Sequence, residues 1–530
     1  MLGGSRARNP VNLVDRGIPA KFDPEKDCLW KADLGSVAYG GPVVAGGKVF
    51  AGTNNDRPRN NRDIRIVDGE PEPIDKGVLM CFDEKTGRFL WQAVFDKLET
   101  GNGNDFQRIG LCSTPTVEAD RLYFVSNRCT VVCADVNGLT DGPQGAVIRE
   151  KYSAPTDADF YWEYDMMKEL NVYPHNMSMC SPIIVGDLLF VGTSNGVDDG
   201  HFNLPSLDAP SFIALNKKTG KLVWKDNSPG KNIMHGQWSS PAYTADPVPQ
   251  VIFSGGDGWL RAFDPPTGKL LWKFDVNPKD GVYEPGGVGT KNDCIAPPSI
   301  HKGRLYIGVS QDPEHTDGIG RLWCLDIRKA TENGRKRDDC DVSPEFLLSF
   351  EKPKEEGQKP KVTTKPNPGS ALVWSYGGET GYPFAVRDFT FGRTLNTACV
   401  VDDVLYIGEL PGYIHCLDAR TGQEYWHYDT KSAMWFGPHF ADGKLFIGND
   451  SGDLYVWNHV KEPATIQDFD PNAPNQKAAN AIRRARHNDV ASNYLLSKIQ
   501  FDAPIRTAPC SANGVLYVMT EKTLYAIGKR

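Results

Sequence analysis

The stretch Asp83-Glu84-Lys85-Thr86-Gly87, followed by Trp91, decides the fold, because the same pattern returns three more times. It recurs as Asn216 to Gly220 with Trp224, Asp264 to Gly268 with Trp272, and Asp418 to Gly422 with Trp426. In every copy threonine precedes tryptophan by five residues. The acid or amide opens a turn by accepting hydrogen bonds from its own backbone, and glycine supplies the positive φ that a tight hairpin requires. The unit therefore reads as a third strand, a turn, and a fourth strand ending in tryptophan.

Working outward, each unit is led by an apolar hairpin, first seen as Pro42-Val43-Val44-Ala45-Gly46-Gly47-Lys48-Val49-Phe50-Ala51-Gly52. Similar hairpins begin near Pro115, Pro182, Pro241, Pro298, Ala398, Pro438 and Pro509, which gives eight inner strands. Eight units of four short strands predict an all-β, eight-bladed β-propeller spanning residues 1–530 as one domain. The last unit stops after three strands, whereas Asp27-Cys28-Leu29-Trp30-Lys31 reads as an outer strand lacking inner partners. Pairing the two closes the ring and leaves no open sheet edge. Segments 54–76, 152–176, 330–370 and 461–494 read as inserts. The Lys-, Glu- and Pro-rich 330–370 stretch reads as a solvated loop, and the aromatic 152–176 stretch as a packed segment with a helical lid as one option. Residues 476–500 have a helix-favouring composition, with a basic cluster at 483–487 suited to an acidic partner or to solvent.

Composition narrows the function. A chain of 530 residues with net charge −8 and 40% hydrophobic content has no basic surplus for non-specific nucleic-acid binding. No apolar run approaches membrane-helix length, and the start lacks the apolar core of a signal peptide. The twelve cysteines include no CxxC pair and no CxxCH haem-attachment signature, so no haem is expected. Cys81, Cys133, Cys324 and Cys416 share one repeat position, and Cys112, Cys180, Cys294 and Cys510 cluster before another strand. Both groups read as small buried hydrophobes.

In a propeller, the segments leading into each inner strand and the links between strands two and three emerge on one face, the mouth. The lead-ins carry Arg108, His175, His235, Asp293, Arg393, Trp435 and Arg506. The links carry Asn195, Asp198, Asp199 and His201, and further along Gln311, Asp312, Glu314, His315 and Asp317. Three arginines aimed into one funnel favour an anionic ligand, or else bond backbone carbonyls at the tight centre of the ring. The acids and Asn195 fit an oxygen-lined Ca²⁺ site, or else solvated loop positions beside glycine turns.

The repeated DxxTG…W unit resembles the pyrroloquinoline-quinone (PQQ) repeat family, and the resemblance covers nearly the whole chain. It implies the eight-bladed ring of the quinoprotein alcohol dehydrogenases, and equally that of non-enzymatic outer-membrane-protein assembly lipoproteins. The opening Leu2-Gly3-Gly4-Ser5-Arg6-Ala7-Arg8-Asn9 resembles the N-terminal segment of planctomycete-type bacterial members, which implies an exported, periplasmic location. Gly192-Thr193-Ser194-Asn195 resembles the dehydrogenase segment whose asparagine binds the metal. His235-Gly236-Gln237-Trp238 resembles the next lead-in, but Ser239 stands where those enzymes carry the catalytic aspartate. The vicinal cysteine pair is absent, and Ser126-Asn127-Arg128-Cys129 offers no metal-binding glutamate. Two functions follow as expectations. One is a binding or scaffold propeller whose mouth holds a small anion, a glycan or a protein partner. The other is a divergent dehydrogenase with Asp293 as base and Asn195 on Ca²⁺. There, Arg108, His175, His235, Arg393, Trp435 and Arg506 would surround PQQ.

Overall fold

The computed structural model describes residues 1–144, 151–284, 286, 288–310, 318–352, 358–378, 389–463 and 476–529. Among them, eight sheets of four antiparallel blade strands form an eight-bladed propeller. The innermost strands are Val43–Ala45, Thr116–Glu118, Ile183–Val185, Ala242–Thr244, Ser299–His301, Cys399–Val401, His439–Ala441 and Cys510–Ala512. Closure is by the N-terminal outer strand: Cys28–Asp33 pairs antiparallel with Thr523–Ile527, Trp30 facing Ala526. The Trp30 and Tyr517 rings lie 6.0 Å apart in the sheet so completed.

What ties blade to blade is the tryptophan carried by every outer strand except that of blade 7, Leu495–Gln500. The Trp30 indole N–H donates to the Glu84 carbonyl (2.8 Å) in the next blade's turn. Trp91 does the same to Val136, Trp162 to Lys217, Trp224 to Pro265 and Trp374 to Ala419. The glycine of the turn has a second duty beyond its positive φ. A Cβ on Gly87 would lie 2.5 Å from the Trp30 ring, and one on Gly220 2.7 Å from Trp162. Within the seven blades that carry it, the tryptophan faces a small residue of the third strand: Cys81 opposite Trp91, Cys133 opposite Trp162, Cys324 opposite Trp374, Cys416 opposite Trp426. Alanine takes that place opposite Trp224, Trp272 and Trp30. These cysteines are buried packing residues, and burial pushes the Cys133 and Cys324 thiols up to about 12. Removing a buried indole of this kind costs roughly 3–5 kcal/mol.

Two inserts differ from expectation. Within 152–176, Phe160–Asp165 is the outer strand of blade 2 rather than part of a lid, followed by a single helical turn, α1 (Met166–Leu170). The strand was hidden because blade 2 has no DxxTG turn; a short 3-10 helix, Gly138–Asp141, replaces it. The 330–370 stretch is more ordered than a solvated loop. Helix α2 (Ile327–Gly334) buries Ile327 and Ala330, and a hairpin joins Glu345–Glu351 to Lys361–Pro366. This helix takes the turn's place in blade 5, so the Trp272 indole donates instead to Gln250 Oε1 (2.7 Å), which sits beside Thr331 of α2. Helix α3 (Gln476–Tyr494) lies on the outer strand of blade 6, where the His427 amide donates to His487 Nδ1 and the two rings stack 4.0 Å apart.

The centre of the ring holds the N-terminal segment. Arg8 is fully buried, and its guanidinium donates to the carbonyls of Pro241 (2.8 Å), Ser181 (2.6 Å), Pro182 (3.3 Å) and Leu2 (3.1 Å). Burial lowers its pKa to about 10, so it remains charged at neutral pH. The carbonyls of Arg6, Ala7 and Pro10 accept from the amides of Tyr243, Ile300 and Phe440 on innermost strands. Asn9 exchanges two hydrogen bonds with the Val400 backbone, and Val11–Asn12 adds a parallel fifth strand to blade 7. The segment thus caps inner edges that would otherwise present unpaired backbone groups.

Two outcomes test this picture. Gly87→Ala and Gly46→Ala both force alanine to positive φ, but only at Gly87 does the new Cβ meet a neighbour. Gly87→Ala is therefore expected to cost about 1–3 kcal/mol more than Gly46→Ala in urea unfolding. The second concerns acid. Burial pushes His439 and His427 down to about 4. Between the unfolded value of about 6.5 and pH 4 the unfolded chain binds protons that the native chain refuses, so stability falls as pH falls through that window. His439→Gln should flatten the slope of unfolding free energy against pH there by about 1 kcal/mol per pH unit.

Candidate functional site

The mouth between blades 3 and 4 is built by interlaced backbone. The link following the second strand of blade 3 lies between two lead-ins, with bridges from Asn195 to Pro174 and from Gly196 to Gly236. Glycine is required at position 196, since a Cβ there would collide with the His235 carbonyl and lie 2.7 Å from the His175 Cβ. This close packing brings three imidazoles together: His175 and His235 from the lead-ins and His201 from the link.

His175 and His235 are buried and His201 is half-buried. Their ligand nitrogens all lie within 4.8 Å of one another. His235 Nε2 is 2.9 Å from His175 Nε2 and 2.9 Å from His201 Nε2. His175 Nδ1 is 2.9 Å from the Val197 carbonyl, an acceptor only, so Nδ1 carries the proton and the Nε2 lone pair points into the cluster. His201 sits at φ +60° on a turn held by its amide to Asp198 O (2.9 Å) and by its carbonyl to the Gly286 amide (2.7 Å). Partial burial works to raise the Asp198 pKa. Hydrogen bonds from the Asn203 side chain and from the Asn203 and Phe202 amides outweigh it and hold the carboxyl below its ordinary value. Trp238 stacks on His175 and donates to the His175 and Met177 carbonyls, each at 3.1 Å.

On its other side Trp238 lines an axial cavity of about 240 Å³, walled chiefly by apolar groups such as Phe106, Met177, Met179, Trp435 and Phe436. Of the residues expected to hold a ligand, Trp435 lines this cavity; the others lie outside its wall. Arg506 forms a two-pronged ion pair with Asp450 (2.8 and 3.1 Å) and a further pair with Glu521 (2.7 Å), above Trp435, whose indole also donates to Asp450. Arg108 is exposed, with its backbone fixed between Asp75 and Asn54. Arg393 is buried, its amide on Gly318 and its carbonyl on the Leu410 amide. Asp293 is buried with its amide on the Ser310 carbonyl. The three arginines therefore occupy three different environments, and the carbonyl-binding role at the ring's centre falls to Arg8. Residues 311–317, with Gln311, Asp312, Glu314, His315 and Asp317, lie outside the described residues.

The donor set does not fit a calcium–quinone pair. Asn195 accepts from the Tyr173 amide (3.0 Å) and donates to the Ser206 carbonyl (3.1 Å), so both ends of its amide are engaged by the chain. Ser239 Oγ donates to the Ala296 carbonyl (3.0 Å) and lies 2.9 Å from Ser254 Oγ, and it supplies no carboxylate. His201 was legible only as one polar loop residue, because nothing in the spacing tells how the link folds back between the lead-ins.

Among known proteins, the chain is 20% identical over 383 residues to outer membrane protein assembly factor BamB of Yersinia pestis, covering 72% of this chain and 80% of that one. It is 28% identical over 252 residues to the dehydrogenase subunit of the quinone-dependent alcohol dehydrogenase of Gluconacetobacter polyoxogenes, a match spanning 40% of this chain and 29% of the enzyme. The crystal structure of BamB from Moraxella catarrhalis superposes with a TM-score of 0.52 at 12% identity, covering 94% of this chain and 98% of that one, a likeness of fold. Residues 16–328, more than half of the chain, match the PQQ-repeat family model described as outer membrane protein assembly factor BamB, and the chain belongs to that family of propellers.

Proposed function

We propose that this chain is an exported binding propeller that engages a polypeptide partner at its mouth. The observation that carries the reading is the apolar axial cavity, with the aromatic side chains of Tyr39, Phe106, Trp238, Trp435 and Phe436 in its wall. Phe106, which lines this cavity from the lead-in to blade 2, remains 43% exposed, and Phe202, in the link of blade 3 outside the cavity wall, 66%. Partly exposed aromatics around an apolar recess are what a partner's anchoring side chain requires, since such anchors dominate binding energy. A small anion receives less support, because Arg506 already carries two carboxylates. The relatives named for outer membrane protein assembly support both a protein partner and a location in the cell envelope. No helix among the described residues is long and apolar enough to cross a membrane.

The dehydrogenase alternative needs Asp293 to replace a carboxylate that position 239 lacks, and it needs Asn195 Oδ1, already accepting from the Tyr173 amide, to serve the ion as well. The binding reading needs neither change.

A photo-cross-linking amino acid at position 202 is expected to capture a polypeptide in the native cell, whereas one at exposed Lys85, in a DxxTG turn on the opposite face, captures none. Phe106→Asp should reduce that capture about tenfold or more. With PQQ and Ca²⁺ supplied, purified protein should not pass electrons from alcohols or sugars to a dye acceptor; sustained dye reduction would overturn the proposal.

A further inference from the structure

We infer that His175, His201 and His235 form a binding site for one divalent transition-metal ion of the zinc class. The site takes in His175 and His235, which the sequence reading set around PQQ, but none of the oxygen donors expected on Ca²⁺, and it does not depend on the binding reading above.

Four features point to it. The first is distance. Zinc binds imidazole nitrogen at about 2.0–2.1 Å, so two nitrogens on a tetrahedral ion stand about 3.3 Å apart. The Nε2 atoms here stand 2.9 Å apart in two pairs, and all three lie within 4.8 Å of one another. The second is tautomer control. The Val197 carbonyl holds the proton on His175 Nδ1, which is the outer contact that orients metal-binding histidines.

The third is hydrogen-bond arithmetic. A ring nitrogen offers in its plane either one N–H or one lone pair. His235 Nε2 faces two other Nε2 atoms at 2.9 Å, so with only protons to share, a single N–H must be split between two acceptors. A single cation accepts a lone pair from each ring and removes the conflict. The fourth is ligand chemistry. The trio contains imidazoles and no carboxylate, a donor set that selects zinc-class ions over Ca²⁺ or Mg²⁺.

The arrangement is built rather than incidental. Backbone bridges fix both lead-ins against the link, and Trp238 braces His175 from behind with an N–H on its carbonyl. His201, half-buried on its turn, gives the ion a path from solvent. Three protein ligands leave a four-coordinate ion one position for water or for a carboxylate of a bound partner.

The test uses the full chain, stripped with a chelator and titrated with Zn²⁺ by calorimetry and with Co²⁺ by visible absorption. One equivalent of Zn²⁺ is expected, the Co²⁺ form should show the intense bands of a tetrahedral ion, and Ca²⁺ should not compete. His201→Ala, on the half-exposed link, and His235→Asn, checked for native circular dichroism, should each weaken Zn²⁺ binding by about 100-fold or more. Absence of Zn²⁺ uptake by the parent chain, or uptake unchanged in both variants, would overturn the assignment.

Discussion

The ring depends on one contact repeated at five of its eight seams: an indole from the outer strand of one blade lying against the bare backbone of the next blade's turn. That contact sets the requirements of its surroundings. The turn must carry glycine, the third strand must place cysteine or alanine opposite the indole, and the following lead-in then starts from a fixed position. Blade 5 shows how firm the requirement is. Its turn is replaced by α2, yet Trp272 remains fully buried, and a Cβ on Gly334 of that helix would lie 2.8 Å from the Trp272 Cβ. Gly334 lets the helix lie close against the backbone of the strand that carries Trp272, and Gln250 supplies the missing acceptor.

Because this contact has a local signature, most of the architecture was legible in the residues themselves. The DxxTG turns, the Pro-led hairpins and the orphan strand at Trp30 were enough for eight blades and for the way they close. What escaped was whatever lacked the signature. Blade 2 turns through Asp135-Val136-Asn137-Gly138, so its outer strand around Trp162 was read as part of an insert. Hydrophobic periodicity could not separate that short aromatic strand from a helix, because five or six residues fit either period.

The site was legible residue by residue but not as a constellation. His175 and His235 stood out from their places in successive lead-ins, and His201 from its link. Their meeting depends on the link folding back between the lead-ins, which the bare Cα of Gly196 permits and no spacing rule announces. The arginines show the opposite case. Arg108, Arg393 and Arg506 all lie in lead-in segments, yet one faces solvent, one is buried and one is neutralised by two acids. The lead-in places each arginine on the same face, while the charge it meets is decided by neighbours that the repeat does not specify.

The segment at the ring's centre has a consequence for how the chain reaches its final form. Arg8 finds its acceptors near residues 181 and 241, Asn9 at residue 400 and Asn12 at residue 511. A stretch made early in synthesis must therefore wait for nearly the whole polypeptide before its contacts exist, and the span from Asn9 to Val400 alone is 391 residues. Contacts of such sequence separation form late. Until they do, the inner strands of five blades have open edges, so this segment fastens blades that must first have been made.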